Sequence, residues 1–419
     1  MQWLRRTLTT RGAAFLGCGI VLTAAGIVLG QTDVTRAGVL LLALVVISLL
    51  LARRHGLALE VSREVSPSRV AIDERATVTL RVRNVEGSPT PVMLAEEALD
   101  YALGDRPRFV LSSLRPGRAE EVRYTVRSHA RGVHRVGPLR LRVRDPFGLT
   151  LRSSAVHGGD EVVVLPRVLP LGSGRALGSG IGSDGSVPHM IALHGEDDQT
   201  IREYRDGDDL RRIHWPATAR TGDLMVRQED RPTKRRVVLL VDAREIGHAG
   251  SVRSGSLEWT VTTAASVLVH LADASHAVHL LTADPTSDRR VRHDTTVPSA
   301  LDALARVTPQ GEDAMRGVLH DAAVLTASGG LVVYVGGPLS DEDTHTLAAL
   351  RQPGSSAVAL VVEPDTFGRR TEGAPAAGAG ATVATLRGSG WLTRTVDGST
   401  SPGQAWSDAV GGSVAQVHA

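Results

Sequence analysis

The chain has 419 residues, enough for two or three domains, and is 42% hydrophobic and 22% charged, as expected of folded protein. Aromatic residues make up only 3% and the formal net charge is +2, which argues against a stacking surface for single-stranded nucleic acid, an aromatic carbohydrate cleft or a strong basic patch. Cys18 is the one cysteine, so neither an intramolecular disulfide nor a cysteine-based zinc site can form, and Lys234 is the one lysine among otherwise arginine cations.

Residues 1–56 read as a transmembrane helical hairpin. Gly12–Thr32 carries no charge and meets the length needed to cross a bilayer, and Ala37–Ala52 is a second, shorter uncharged run. A secretory signal peptide is the competing reading of the first run, because Arg5, Arg6 and Arg11 precede it. The absence of a small-x-small cleavage site, and the second apolar run after only QTDVTR, favour the hairpin. Arginines flank both outer ends, Arg53 and Arg54 at the far side. The positive-inside rule therefore predicts a two-pass protein of the plasma membrane, in contact with the lipid bilayer, with both termini cytoplasmic.

Residues 57–168 predict a β-sandwich of about seven strands. In Thr77–Val85, Val78, Leu80 and Val82 alternate with Thr79, Arg81 and Arg83, the period-2 pattern of a strand with one wet face. Turn signals such as RPGR and GGD separate such runs. His129 and His134 read as surface strand residues, and Pro91–Leu103 is ambiguous. Residues 169–195 form a Gly/Ser-rich linker, without the glycine spacing or strand–helix context of a phosphate loop.

Residues 196–236 are the most charged segment. Acids and bases interleave, with Asp206 and Asp209 among Arg205, Arg211 and Arg212, which points to ion pairing and away from phosphate or nucleic-acid binding. His214 and Trp215 lie between Ile213 and Pro216. One reading is a structural network anchored by a buried Trp215. The other is a surface for a protein partner, with arginine and tryptophan as its hot spots. A hydrolase using Asp206 or Asp209 with His214 is an alternative by residue type, but no nucleophile completes the set.

Residues 237–419 predict a doubly wound α/β domain. VVLLVD (Val237–Asp242), AVHLLTA, LVVYVGG and AVALVVE are continuous apolar runs, as strands buried on both faces require. Helical periodicity separates them, at Leu257–Asp273, around Ser299–Val307 and from the Ser340 cap onward. Ala381–Arg387, GWLTRTV and Gln404–Val410 close the series as helix, strand and helix. A site is expected at the carboxyl ends of the strands.

The stretch REYRDGDDLRRIHWPATARTGDLMVRQ, followed by VVLLVDA, resembles the domain of unknown function 58 family, as do RGVHRVGPLRLRVRDPFGL, VVVLPRV and the amino-terminal hairpin. The resemblance implies a von Willebrand factor type A-like domain and association with MoxR-type AAA+ ATPases. It also marks Arg205, Asp206, Asp209, Arg211, Arg212, His214, Trp215, Arg220 and Arg227 as a partner-binding or structural motif. It carries no enzymatic activity and no cofactor. Type A domains often hold Mg²⁺ through D-x-S-x-S. Here Asp242 is followed by Arg244 and Ile246, so the metal site is degenerate. The expectation is a membrane-tethered cytoplasmic scaffold or adaptor that binds protein partners through a metal-free module. A metal-dependent adhesion-like receptor is the further alternative.

Overall fold

The computed structural model describes residues 7–54, 58–172, 200–204, 213, 215–228, 235–251, 254–283, 296–368 and 378–411. The chain forms two compact units, Met1–Leu165 and Pro166–Ala419.

The first unit begins with two apolar helices, α1 (Thr10–Val28) and α2 (Thr32–Arg54), joined by a tight turn at Gly30, whose φ of +68° suits glycine. Both contain segments long and apolar enough to cross a bilayer, Thr10–Val28 and Thr32–Leu51. The second is longer than its 16-residue uncharged core suggested, because the helix continues through Thr32–Arg36. The helices approach closely at small residues. A Cβ on Gly26 would lie 2.4 Å from the Thr35 hydroxyl oxygen, and one on Gly38 the same distance from that of Thr23. Ile20, Val28 and Leu40 remain exposed on the outer faces.

The rest of this unit is a β-sandwich of nine strands, not seven: β1 (Leu59–Ser66), β2 (Arg69–Ala71), β3 (Arg75–Asn84), β4 (Met93–Leu99), β5 (Arg108–Leu111), β6 (Ala119–Arg127), β7 (Gly132–Arg144), β8 (Leu151–Val156) and β9 (Asp160–Leu165). One sheet runs β1-β3-β6, and the other runs β2-β9-β7-β4-β5 with β8 beside β7. The alternation in β3 works as its sequence requires. Val78, Leu80 and Val82 are fully buried, and Leu80 and Val82 pack against Met93, Ala95, Leu139 and Leu141 of the opposing sheet. The ambiguous stretch resolves into β4 and a 3₁₀ turn at Tyr101–Leu103.

The histidines of the sandwich require a correction. His129 is exposed in a bend beside Asp73, which accepts from its ring nitrogen. His134 is not a surface residue. It is buried in β7, where Asp100 (3.2 Å) and the Ala130 carbonyl (3.1 Å) hold its two ring nitrogens.

The second unit contains an antiparallel pair, β10 (Thr200–Glu203) with β11 (Met225–Gln228), and a short helix between them, α3 (Trp215–Thr221). Its main sheet has five parallel strands: β12 (Arg236–Val241), β13 (Ala277–Thr282), β14 (Leu331–Gly336), β15 (Ala357–Val362) and β16 (Leu392–Val396), in the order β13-β12-β14-β15-β16. Helices cover both faces. Val237, Leu239 and Val241 pack on α4 (Ser256–Asp273), α5 (Val297–Arg306) and α9 (Pro402–Gly411). Val238 and Leu240 point the other way, onto α6 (Ala314–Thr326), α7 (Asp341–Ala349) and α8 (Ala379–Gly388). Helix α6 was absent from the sequence reading. Ser340 caps α7 by accepting from the Asp343 N–H. Leu171, assigned above to the linker, is buried in the core of this unit, and the Leu169 N–H donates to Ser266 Oγ at 2.9 Å.

Candidate functional site

The sheet order reverses direction at β12, whose neighbours β13 and β14 follow it in the chain. In a parallel sheet this is where the connecting loops part and a crevice opens at the carboxyl ends. Here the crevice is closed by side chains. Asp242, the residue after β12, is 1% exposed, and Arg244, two residues on, is 4% exposed. The guanidinium grips the carboxylate with both arms, Nε to Oδ1 and Nη2 to Oδ2, each at 2.9 Å. The Arg244 backbone N–H adds a third bond to Oδ1 at 3.0 Å, and Nη2 also donates to the Pro338 carbonyl at 2.9 Å. Burial alone would raise the Asp242 pKa, but the Arg244 bonds and charge overcome it and hold the carboxyl below its ordinary range. Burial opposes the charge on Arg244 in the same way, and Asp242 more than restores it. Both groups are therefore ionised in the core.

Three further residues complete the cluster. Tyr334 in β14 is fully buried, and burial with the Asp242 charge pushes its phenol far up, so it stays a donor. Its single hydroxyl proton goes to the Gly337 carbonyl at 2.6 Å, with Asp242 Oδ2 at 3.3 Å from the same oxygen. His248 Nε2 lies 2.8 Å from the Asp242 carbonyl, which can only accept, so Nε2 carries the proton and Nδ1 receives the Ser256 hydroxyl at 3.0 Å. Burial lowers the His248 pKa and keeps the ring neutral. Gly337 permits the close approach of the two loops, because a Cβ there would lie 2.1 Å from the Gly247 carbonyl oxygen.

Serine, histidine and aspartate thus meet, but not as a catalytic triad. The Asp242 carboxylate faces Arg244 and not the imidazole, and Ser256 is fully buried, accepting from the Ala249 N–H at 3.0 Å. What the arrangement does is place a fixed cation against the aspartate at the strand ends. Asp242 pairs with Arg244, two residues on in the chain. His248, Ser256 and Tyr334 were missed: His248 and Ser256 meet through the fold of the loop after β12, 6 and 8 residues from their partners, and Tyr334 reaches Asp242, 92 residues away, through the parallel pairing of β12 with β14. The sandwich holds a second buried pair that the sequence did not reveal. Arg63 donates to Glu97 at 3.1 Å, and burial raises the Glu97 pKa despite the arginine.

Of the charged motif, Arg205, Asp206, Asp209, Arg211, Arg212 and His214 lie outside the described residues, as does the Arg227 side chain. Arg220 is exposed in the last turn of α3. Trp215 opens that helix and is 66% exposed, so it is not a core anchor.

That segment and the strands after it decide the comparison. Residues 200–364 match the family described as protein of unknown function DUF58. The DUF58 match runs from β10 through the end of β15 and contains every member of the buried cluster. No curated protein matches the chain. Among solved structures, the CARDB domain of a Pyrococcus furiosus protein is 16% identical, covering 26% of this chain and 88% of that one with a TM-score of 0.20. A β-glucosidase from Listeria innocua is 12% identical, covering 26% of this chain and 16% of that one with a TM-score of 0.16. Scores this low say nothing about chemistry.

Proposed function

We propose that the protein is a membrane-tethered cytoplasmic scaffold or adaptor that binds protein partners through a metal-free, von Willebrand factor type A-like domain. The observation that carries the reading is Trp215. It stands two-thirds exposed at the start of α3, inside the DUF58-matched segment, where tryptophan stabilises little of its own unit and suits a binding hot spot. The parallel order and two helical layers of the second unit support the type A-like assignment. The Asp242–Arg244 pair supports metal independence, because the guanidinium supplies the positive charge that a dication would otherwise bring. The two apolar helices support the tether, with both termini on the cytoplasmic side of the plasma membrane. A MoxR-type AAA+ ATPase is the partner that the family resemblance suggests.

The test compares wild type with Trp215→Ala, both tagged and purified from native membranes after cross-linking. The reading expects an AAA+ ATPase or another polypeptide, identified by mass spectrometry, to be enriched with wild type and reduced about tenfold or more with the variant. The variant's unfolding free energy should stay within about 0.5 kcal/mol of wild type. Equal recovery by the two proteins would contradict the reading.

A further inference from the structure

One loop of the sandwich, Asp145–Thr150 between β7 and β8, is fastened to the base of the helical hairpin. The Thr9 N–H donates to the Leu149 carbonyl at 2.9 Å, and the Thr9 hydroxyl donates to the Gly148 carbonyl at 2.8 Å. Leu8 and Thr150 form an antiparallel bridge. Gly12 allows α1 to close on the loop, since a Cβ there would lie 2.1 Å from the Leu149 oxygen. On α2, Ser48 is fully buried and its side chain lies against Asp145. The loop thus touches both helices inside the apolar segments Thr10–Val28 and Thr32–Leu51. At ~1.5 Å of rise per residue, Gly12 and Ser48 lie roughly 3–5 Å in from the ends of those segments.

The loop is also internally braced. Asp145 accepts from the Phe147 N–H at 3.1 Å and from the Thr150 hydroxyl at 3.0 Å, while Leu149 and Thr150 are buried. Its tip is different. Pro146 is exposed, and Phe147 is 48% exposed although the turn holding it is fixed. Arg142 and Arg144 are exposed on the same face of β7 leading into the tip. An apolar tip with an aromatic ring, flanked by arginines at the depth where an apolar helix ends, has the composition of a membrane-interface contact.

We propose that Pro146 and Phe147 insert into the headgroup region of the cytoplasmic leaflet, giving the sandwich a membrane contact besides the two helices. The proposal rests on the membrane-spanning reading of α1 and α2, and the experiment separates the two. In the full chain, Cys18→Ser provides a cysteine-free background. A single cysteine is then introduced by Phe147→Cys or, as a control in mid-α1, by Val21→Cys, a position 65% exposed. Each is labelled with an environment-sensitive fluorophore and reconstituted in phosphatidylcholine–phosphatidylglycerol vesicles. The expected result is that a shallow spin-labelled lipid quenches the probe at 147 several-fold more than aqueous iodide does, with the probe at 21 quenched by lipid as well. Lipid quenching at 21 with iodide quenching alone at 147 would overturn the insertion. No lipid quenching at 21 would overturn the membrane-spanning reading, and the insertion with it.

Discussion

Replacing Arg244 by methionine keeps most of the side-chain volume and removes the guanidinium. Asp242 then loses two of its three bonds from residue 244 and keeps the backbone N–H at 3.0 Å and the Tyr334 hydroxyl at 3.3 Å. Stranding one partner of a buried pair costs about 3–5 kcal/mol, so Arg244→Met should lose that much at pH 7.5. The sign of its pH dependence follows from the same geometry. Without the arginine, burial is the dominant influence on Asp242 and raises its folded pKa above 3.8, the value expected when unfolded. The deficit should therefore shrink as the pH falls towards 5, by up to about 1.4 kcal/mol per pH unit below the raised pKa. Adding Asp242→Asn to Arg244→Met removes the stranded charge and should recover roughly 2 kcal/mol. Urea titration of the full chain in detergent micelles measures this. The signal is tryptophan fluorescence, since Trp391 and Trp406 are buried in the α/β unit. A deficit below about 1 kcal/mol, or one independent of pH, would refute the claim that Arg244 neutralises a buried carboxylate.

Two glycines should respond with opposite signs. Gly337→Ala puts a Cβ onto the Gly247 backbone and should cost about 3 kcal/mol or more, whereas Gly317→Ala in α6 meets nothing within 4 Å and should stabilise by about 0.5–1 kcal/mol, both by the same titration. Because the folded His248 pKa lies below 6.5, the unfolded state takes up the proton first as the pH falls. Stability should then decline below pH 6.5, and His248→Gln should flatten that slope while lowering stability at pH 7.5. Reporters fused after Arg54 and after Ala419 should both be cytoplasmic, and export of either would break the hairpin topology.

The strands of the α/β unit were legible because burial on both faces leaves an unbroken apolar run, and β3 because burial on one face leaves alternation. Helix α6 carries an equally regular signal, with Met315, Val318, Leu319 and Ala322 at helical spacing and buried, but Gly317 and the His320–Asp321 pair interrupt its apolar look. Trp215 misled for a general reason: a large apolar residue between Ile213 and Pro216 resembles an anchor, and only the chain path decides that it faces solvent. His134 misled in the opposite direction, because its polar partners come from loops and no spacing rule announces them. Of the buried cluster, the Asp242–Arg244 pair is local and readable. Tyr334 is not, since its approach to Asp242 depends on the pairing of β12 with β14.

We propose that Arg244 supplies the cation of this site in place of a metal ion. Melting of the full chain in detergent micelles, with and without millimolar Mg²⁺, tests it most directly, because an ion that binds only the folded state must raise the melting temperature by mass action. No shift is expected with Mg²⁺, Ca²⁺ or Mn²⁺. A saturable rise with Mg²⁺ that disappears in Asp242→Ala would contradict it.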